Sequence, residues 1–431
     1  MLNPRTHSSD YPTSYYFATK SYHLQYPVLE GHLKTQICVI GGGFSGVNCA
    51  LELAQKGYKA VLVEAHKIGW GASGRNGGQL IRGLGEDAEK FKNQIGEEGV
   101  KSLRLMGLEG VDIVKGRILE YSINCDLQLG FCDLANKPRH VKAFIKDKAW
   151  LDEIGYCHET KLLQAEDMHQ VVGSDNYIGG LIDMGSGHLH PLNLVLGEAE
   201  AAKSLGVKIF EQSKVIRIQY GAVNTVFTDQ GSITCDKLII CGNAYVAGLN
   251  TKLESRVLPA GSYIIATQPL SEELCQRLLP QNMAVCDQRV ALDYYRLSAD
   301  NRLLFGGLCN YSGRDPRSII DKLKPHIINL FPYLNDVGIE YQWGGMIGIG
   351  ANRMPQIGRL NENTYYAQAY SGHGLNATHI AAKVIAEHIH DESDRMAIFE
   401  RIHHIRFPGG RRLRSPLLAA GMLYHRAKDW F

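Results

Sequence analysis

Residues 36–64 constrain this chain more than any others. An apolar run, Ile37-Cys38-Val39-Ile40, leads into Gly41-Gly42-Gly43-Phe44-Ser45-Gly46. A helix-length segment follows, and then a second apolar run, Ala60-Val61-Leu62-Val63, that ends on Glu64. Strand, glycine turn, helix, strand and acid stand in the order that a dinucleotide site requires. Gly41 permits the tight turn out of the first strand, Gly43 lets the backbone approach a pyrophosphate, and Gly46 allows the helix to lie close on the sheet. The helix then offers free N–H groups and its positive dipole end to the phosphates. Glu64, eighteen residues after Gly46, is placed to accept hydrogen bonds from both ribose hydroxyls of an adenosine. A carboxylate there repels a 2′-phosphate, so FAD or NAD is favoured over NADP. A GxGxxG alone also marks ordinary loops; the flanking strands and the acid set this one apart.

With 431 residues, the chain has room for two domains and a substantial core. A hydrophobic fraction of 45% and a charged fraction of 21% suit a soluble globular protein. The formal net charge of +2 gives no global reason to expect nucleic acid. The first 35 residues are polar and aromatic without an apolar block, and no apolar run approaches membrane-spanning length. The expectation is therefore a mature protein that starts near Met1, with neither signal peptide nor transmembrane segment. The ten cysteines are scattered, with no CxxC pair and no Cys/His cluster at metal spacing, and Cys38 and Cys241 sit inside strand-like runs where a thiol serves as a small hydrophobe. A reduced, cytoplasmic protein that holds no metal is the inference.

Residues 1–34, rich in tyrosine and poor in periodicity, read as an irregular arm packed on a domain surface. An FAD-binding domain is expected from 35–120, 186–256 and 343–395. A substrate domain is expected from 121–185 and 257–342, and a basic tail from 396–431. Apolar spacing predicts helical pieces over Ala88 to Tyr121 and a helix from Arg139 to Ile154. A further helix is predicted to begin at His188-Leu189-His190-Pro191 and run to Gly206. Strand-like runs at 207–210, 214–218, 226–228 and 237–241 return the chain to the dinucleotide sheet. Alternation between Leu258 and Glu340 implies antiparallel strands, covered on one face by a helix from Arg317 to Leu330. Tyr365 to Ala369 and a helix from Asn376 to His388 resume the α/β pattern. The fold class expected is α/β, a discontinuous Rossmann-like domain plus a second α+β domain with a mostly antiparallel sheet.

A second glycine-rich loop, Gly69-Trp70-Gly71-Ala72-Ser73-Gly74-Arg75-Asn76-Gly77-Gly78-Gln79, follows directly on Glu64. Small residues let backbone N–H groups converge on an anionic or heteroaromatic ligand, and Ser73 or Asn76 can cap a short helix aimed at it. Taken with the first loop, the run VIGGGFSG…VLVEAHKIGWGASGRNGGQ resembles the FAD-dependent D-amino-acid oxidase superfamily, which includes glycine and sarcosine oxidases. Further blocks extend the resemblance over nearly all of the chain: HLHPLNLVLGEAEAAKSLGVKIFEQSKV, LIICGNAY, LDYYRLSADNRLLFGG, WGGMIGIGANRMPQIGRL, YYAQAYSGHGLN and FPGGRRLRSPLLAAGMLYHR. Together with the tyrosine-rich arm they are most similar to the γ-glutamylputrescine oxidoreductase branch.

The resemblance implies FAD, held without a covalent tether because no cysteine stands between Met346 and Asn352. By the same carry-over, Gly41, Gly43 and Gly46, with Phe44 and Ser45, serve the pyrophosphate. Glu64 and Ala65 serve the ribose, and the Val215 backbone serves adenine. Gly71, Ala72, Ser73, Arg75, Asn76, Gly77 and Gln79 serve the ribityl and flavin region, with Gly345. Gly372, His373, Gly374 and Leu375 lie at the flavin's pyrimidine edge, where a helix N-terminus stabilises negative charge; a purely structural His373 is the rival reading. The implied chemistry is oxidation of a C–N bond: hydride leaves the carbon beside a neutral amine for flavin N5, and the imine is hydrolysed. An apolar, aromatic pocket disfavours the ammonium form, and Trp70, Tyr294, Tyr295, Trp343 and Tyr370 are its candidates, each with core packing as the alternative. The catalytic candidates are His373, Tyr295, Trp343, Tyr370 and Asn376.

Two departures bear on substrate and acceptor. Asn376 stands where sarcosine-oxidase relatives carry a carboxylate-binding lysine, which favours an amine such as γ-glutamylputrescine over a free α-amino acid. The run Leu303-Leu304-Phe305 lacks those relatives' oxygen-activating lysine, so a quinone-type acceptor competes with oxygen. Oxidation of a D-amino acid, glycine or sarcosine is the runner-up, ahead of a flavin-binding partner protein without turnover and of an NAD-dependent dehydrogenase. Between Arg401 and Lys428 stand seven Lys/Arg and no Asp or Glu. That tail reads as packed across its own protein, with peripheral contact to an anionic membrane as the weaker reading.

Overall fold

The computed structural model describes residues 11–289, 292–311 and 315–408. The chain opens with helix α1 (Tyr15–Ala18), strand β1 (Gly31–Ile40), helix α2 (Phe44–Gln55) and strand β2 (Ala60–Val63). It then passes through β3 (Gln79–Leu80), α3 (Lys92–Glu120), β4 (Gln128–Ala135), α4 (Pro138–Glu153), β5 (Thr160–Gln164) and β6 (Gly179–His188). Helix α5 (Pro191–Ser204) leads to β7 (Lys208–Phe210), β8 (Val215–Gln219), β9 (Asn224–Thr228), β10 (Gly231–Ile240) and α6 (Thr251–Glu254). Next come β11 (Leu258–Thr267), α7 (Glu272–Leu278), β12 (Ala284–Asp287), β13 (Tyr294–Leu297), β14 (Leu303–Asn310), α8 (Ile320–Leu330) and β15 (Ile339–Ile349). The last elements are β16 (Gln356–Asn361), β17 (Thr364–Gln368), α9 (Leu375–Ile389) and α10 (Met396–Arg401).

The strands form two sheets. The first runs β16-β17-β10-β1-β2-β7, with β9 on β10 and β8 on β9. Its centre is parallel, with Ile37 opposite Ala60 and Lys237, and β1, β2 and β10 carry the continuous apolar runs of strands covered on both faces. The second runs β15-β11-β14-β13-β12-β4-β6-β3, with β5 on β6, and is antiparallel except where β4 lies parallel to β12. Helix α8 buries Leu323, Ile327 and Leu330, the i, i+4, i+7 stripe of an amphipathic helix. The chain crosses from one sheet to the other four times, after β2, β6, β10 and β15.

Several expectations are corrected. The arm is not irregular throughout: Ser14 caps α1 by accepting from Phe17 N at 3.1 Å, and Tyr16 is wholly buried. A four-residue helix is too short to show periodicity in sequence. β1 begins at Gly31 rather than after residue 34, because Gly31 to Thr35 already pair with Gly231 to Cys235 of β10. The helix expected from His188 starts at Pro191; His188 ends β6 and pairs with Gln79. Proline, lacking an N–H, favours the first helical position, and His190 Nδ1 caps the helix by accepting from Asn193 N at 3.1 Å. The expected boundary at 342 falls inside β15. The helical stretch over 92–120 bends at Gly96, which takes a φ of 76°. Of the expected basic tail, α10 buries Met396 and Phe399; residues from 409 onward lie outside those described.

Three helices are joined by one buried string of polar groups. Asn48 of α2 donates through Nδ2 to Glu198 Oε2 of α5 at 2.8 Å. Glu198 Oε1 meets His379 Nε2 of α9 at 2.6 Å, and His379 Nδ1 donates to Leu375 O at 2.6 Å. All three side chains are 2% exposed or less. Removing one partner of such a pair strands the other in a low-dielectric interior. His379→Ala and Glu198→Ala are each expected to cost about 3–5 kcal/mol of unfolding free energy. The double variant should cost less than the sum, as denaturant titrations will show.

Burial and the nearby Arg296 charge push both His188 and His190 down to about 3, against about 6.5 in an unfolded chain. The unfolded state therefore binds more protons between pH 6.5 and 3, and stability contributed by neutral histidine is present above 6.5 and lost as pH falls. The melting temperature should drop as pH is lowered below about 6.5, and His190→Asn, which retains a capping oxygen, should blunt that drop.

Candidate cofactor and substrate cleft

The first glycine loop is built as a close backbone crossing. Gly41 has a φ of +111°, and a Cβ there would stand 2.7 Å from Cys241 O; one on Gly46 would stand 1.8 Å from Gly41 O. At Gly43 an added Cβ would meet Ser73 Oγ at 2.8 Å, the atom that accepts from Phe44 N at 2.9 Å. The second glycine loop is thereby fastened across the entrance of α2. Asn76 braces that loop from within, its Nδ2 donating to Ala72 O and Ser73 O and its Oδ1 accepting from Gly78 N. Glu64 accepts from Gly42 N at 2.6 Å and from His66 N at 2.8 Å. Each carboxylate oxygen keeps a lone pair for a further donor. Burial raises the Glu64 pKa, and the backbone donors pull it back.

These loops open into a cavity of about 1490 Å³ lined by Ile40, Gly41, Gly43, Phe44, Ser45, Glu64 and Ala65, by most of residues 70–79, and by Val215. Roughly 300–1,000 Å³ suffices for one drug-sized ligand, so this space exceeds a single small-molecule pocket. The wall continues through Gly345, Tyr370 and residues 371–376 to the second sheet, where Tyr294, Cys286 and Leu308 line it. His373 stands in this wall with Nε2 buried and without a hydrogen-bond partner, and burial lowers its pKa. Backbone contacts of the ring to residues 81–83 oppose that shift, so a neutral imidazole is packed beside the N-terminus of α9. Tyr370 Oη and Ser45 Oγ share a hydrogen bond of 2.7 Å, and burial drives the tyrosine pKa well up. Asn376 Nδ2 donates to Gly83 O at 2.6 Å and Gly107 O at 3.1 Å.

Most of the sequence-derived site residues share this cavity, including Gly71, Ala72, Ser73, Arg75, Asn76, Gly77, Gln79, Gly372, Gly374 and Leu375. Three stand off its wall. Gly46 serves the helix–strand crossing. Tyr295 is fully buried, bonded to Tyr177 Oη at 3.0 Å and stacked on Phe305. Its neighbour Tyr294 faces the cavity, because successive strand residues point to opposite faces. Trp343 lies behind the second loop, with Nε1 donating to Arg75 O at 3.0 Å and its ring 5.2 Å from Tyr16. Arg75, though on the wall, bonds Gly71 O, Gly344 O and Tyr245 Oη, and Gln79 Nε2 donates to Val285 O.

The sequence reading missed the charged part of the lining. Arg82 bridges Asp133 and Asp183 at 3.1 Å each. Burial pushes Asp133 up to about 6 against the pull of Arg82, whereas Asp183, held by Arg82, Ser186 and Gly185, is lowered despite its burial. Asp147 is raised by burial, with Arg82 and Arg104 opposing. No motif announces these residues; only the spacing of Asp147 and Trp150, three apart on one helix, hinted at a shared face.

Comparison with known proteins agrees with this geometry. The FAD dependent oxidoreductase (DAO) family model matches residues 36–388. Gamma-glutamylputrescine oxidoreductase of Escherichia coli K12 is 39% identical over 422 residues, covering 98% of this chain and 99% of that protein. A probable oxidoreductase OrdL of Haemophilus influenzae is 38% identical over 96% of this chain and 97% of its own length. Among solved structures, L-proline dehydrogenase of P. horikoshii aligns with a TM-score of 0.72 at 22% identity, covering 86% of this chain and 96% of that one. Glycine oxidase of Geobacillus kaustophilus aligns with a TM-score of 0.72 at 19% identity, covering 86% and 100%. With a fold that these structures share and a family match over most of its length, the chain belongs to the FAD-dependent oxidoreductases of the DAO family, which act on C–N groups.

Proposed function

We propose that the protein oxidises the terminal primary amine of γ-glutamylputrescine or a closely similar acylated diamine. The observation that carries this reading is a single cavity that runs without interruption from the Gly41–Gly46 cradle, past His373, to the second sheet. The end-to-end match to the E. coli relative names the amine. Bound along Glu64, the two glycine loops and residues 372–375, FAD supplies a hydride acceptor for the carbon that carries the amine.

The chain's own part is placement and solvation. Amine oxidation by hydride loss needs an uncharged nitrogen, and the aromatic and apolar side chains of Tyr294, Leu308 and Ile347 on the wall disfavour an ammonium. Burial raises the pKa of Tyr294 and Tyr370, so their hydroxyls stay protonated at neutral pH and act as hydrogen-bond partners, not bases. Burial keeps His373 neutral. The Asn376 Nδ2 group is spent on Gly83 and Gly107, which leaves it unsuited to hold a carboxylate beside the reacting carbon and weighs against a free α-amino acid. The absence of a lysine in Leu303-Leu304-Phe305 weighs toward a quinone-type acceptor over oxygen.

Anaerobic addition of γ-glutamylputrescine should bleach the visible absorption of the purified holoprotein, while putrescine, sarcosine and D-alanine should bleach it slowly or not at all. Rapid bleaching by sarcosine or D-alanine instead would replace this substrate with the amino-acid alternative. Readmission of air should restore the colour slowly, and a soluble quinone should restore it fast.

Gly43→Val should weaken FAD binding by at least tenfold, since its side chain fills the cradle. Gly116→Ala, which meets nothing within 4 Å, should retain the flavin. Equal flavin content in the two purified variants would count against the assigned cradle.

A further inference from the structure

Past His373 the cavity reaches a wall with no role in the account above. Gly83 and Gly85 abut the His373 side chain, and Gly107 of α3 packs on Gly83. Arg104, one turn before Gly107, and Leu108, the residue after it, line the space from α3, and across from them stand Ala143, Asp147, Trp150 and Leu151 of α4. The α4 positions fall at i, i+4, i+7 and i+8, so a single helix face looks into the cavity.

Charges on this wall are spent unequally. Arg82 is held by Asp133 and Asp183, and the other Asp133 oxygen accepts from Gln288 Nε2 at 2.9 Å. Among the described residues Asp147 makes no hydrogen bond, and no Lys or Arg nitrogen stands within 4.0 Å of its carboxylate. The Arg104 guanidinium lies over the Trp150 ring, 4.9 Å from its centroid, and its ion pair is a loose one to Asp87 at 3.9 Å, beyond hydrogen-bond length. One carboxylate and one guanidinium thus face the same end of the cavity from two helices, close enough for Arg104 to oppose the upward shift of Asp147 but without an ion pair between them.

We propose that Asp147 and Arg104 form the subsite for the α-amino-acid end of the substrate, Asp147 taking the α-ammonium and Arg104 the α-carboxylate. Trp150 lies along the methylenes between that end and the amide. This rests on the γ-glutamyl amine reading of the cleft and extends it to the distal half of the molecule. A zwitterionic carbon carries both charges a bond apart and needs two opposite partners that are not already paired with each other. A plain diamine offers Arg104 no carboxylate and sets its second ammonium near a guanidinium. The pair therefore selects for the glutamyl group rather than merely tolerating it.

The test uses the holoprotein and three amines that differ only at the acyl end: γ-glutamylputrescine, glutarylputrescine, which lacks the α-amine, and N-acetylputrescine, which lacks both charges. Apparent Kd and limiting rate come from anaerobic bleaching. Wild type should prefer γ-glutamyl to glutaryl by about ten- to a hundredfold in Kd, and Asp147→Asn should reduce that preference to about twofold or less. Arg104→Gln should weaken both charged acyl amines by about ten- to a hundredfold and leave N-acetylputrescine unchanged, with limiting rates preserved. Flavin content and melting temperature report folding of both variants. A preference that survives in Asp147→Asn, or an equal loss on all three amines, would overturn the subsite. Failure of wild type itself to bleach with γ-glutamylputrescine would overturn the substrate reading and the subsite with it, and wild type alone reveals that outcome.

Discussion

The architecture depends on the string Asn48–Glu198–His379. It ties α2, α5 and α9 through side chains with no access to water, and two of these helices begin at the cavity, at Phe44 and at Leu375. A carboxylate buried this deeply is tolerable only with both oxygens occupied. Any rotation of α9 against α2 breaks one of those bonds. The two helix N-termini are therefore held in fixed relation, and the cradle and the His373 turn inherit that relation.

The two sheets are fastened differently, by arginines bonded to backbone carbonyls. Arg75 reaches from the second glycine loop to Gly344 O of β15. Arg296 reaches back from β13 to Gly77 O, Leu189 O and Tyr16 Oη. Planar guanidinium groups satisfy several acceptors at once from fixed directions. The loop between these anchors is held from both sides, and a Cβ at Gly77 or Gly78 would strike Tyr294 or Leu189 O within 3 Å. The same Arg296 charge contributes to keeping His188 and His190 neutral, so the joint between the sheets also sets their response to acid.

The nucleotide half was legible in sequence because its constraints are local. Gly41, Gly46 and Glu64 meet within one βαβ unit: a Cβ on Gly46 would strike Gly41 O, and Glu64 accepts from Gly42 N. The charged distal wall was not legible: Arg82, Asp133, Asp147 and Arg104 come from β3, β4, α3 and α4 surroundings and meet only through tertiary packing. The aromatic candidates show why type alone is insufficient. Tyr294 and Tyr295 have the same composition and neighbours, yet strand alternation sends one to the cavity and the other to the core. Trp343 stands off the cavity because the second glycine loop lies in front of it, with Arg75 O accepting its indole N–H, a tertiary arrangement that residue type does not announce. Pro191 was the overlooked local signal, since its preference for a first helical turn would have placed the α5 boundary correctly.

The four crossings between sheets mean that neither half is a contiguous piece of chain. Strands β1 and β17, both neighbours of β10, are separated by more than three hundred residues of sequence. Such pairings close very long loops, whose entropic cost is met before the contacts return anything. The parallel centre of the first sheet therefore stays incomplete until β17 and α9 have been synthesised, and a nascent chain lacking them leaves the apolar stretch Leu238, Ile239 and Ile240 of β10 without its partner strand. Premature termination or proteolysis within the last third of the chain would thus yield an aggregation-prone remnant, not a smaller working nucleotide module.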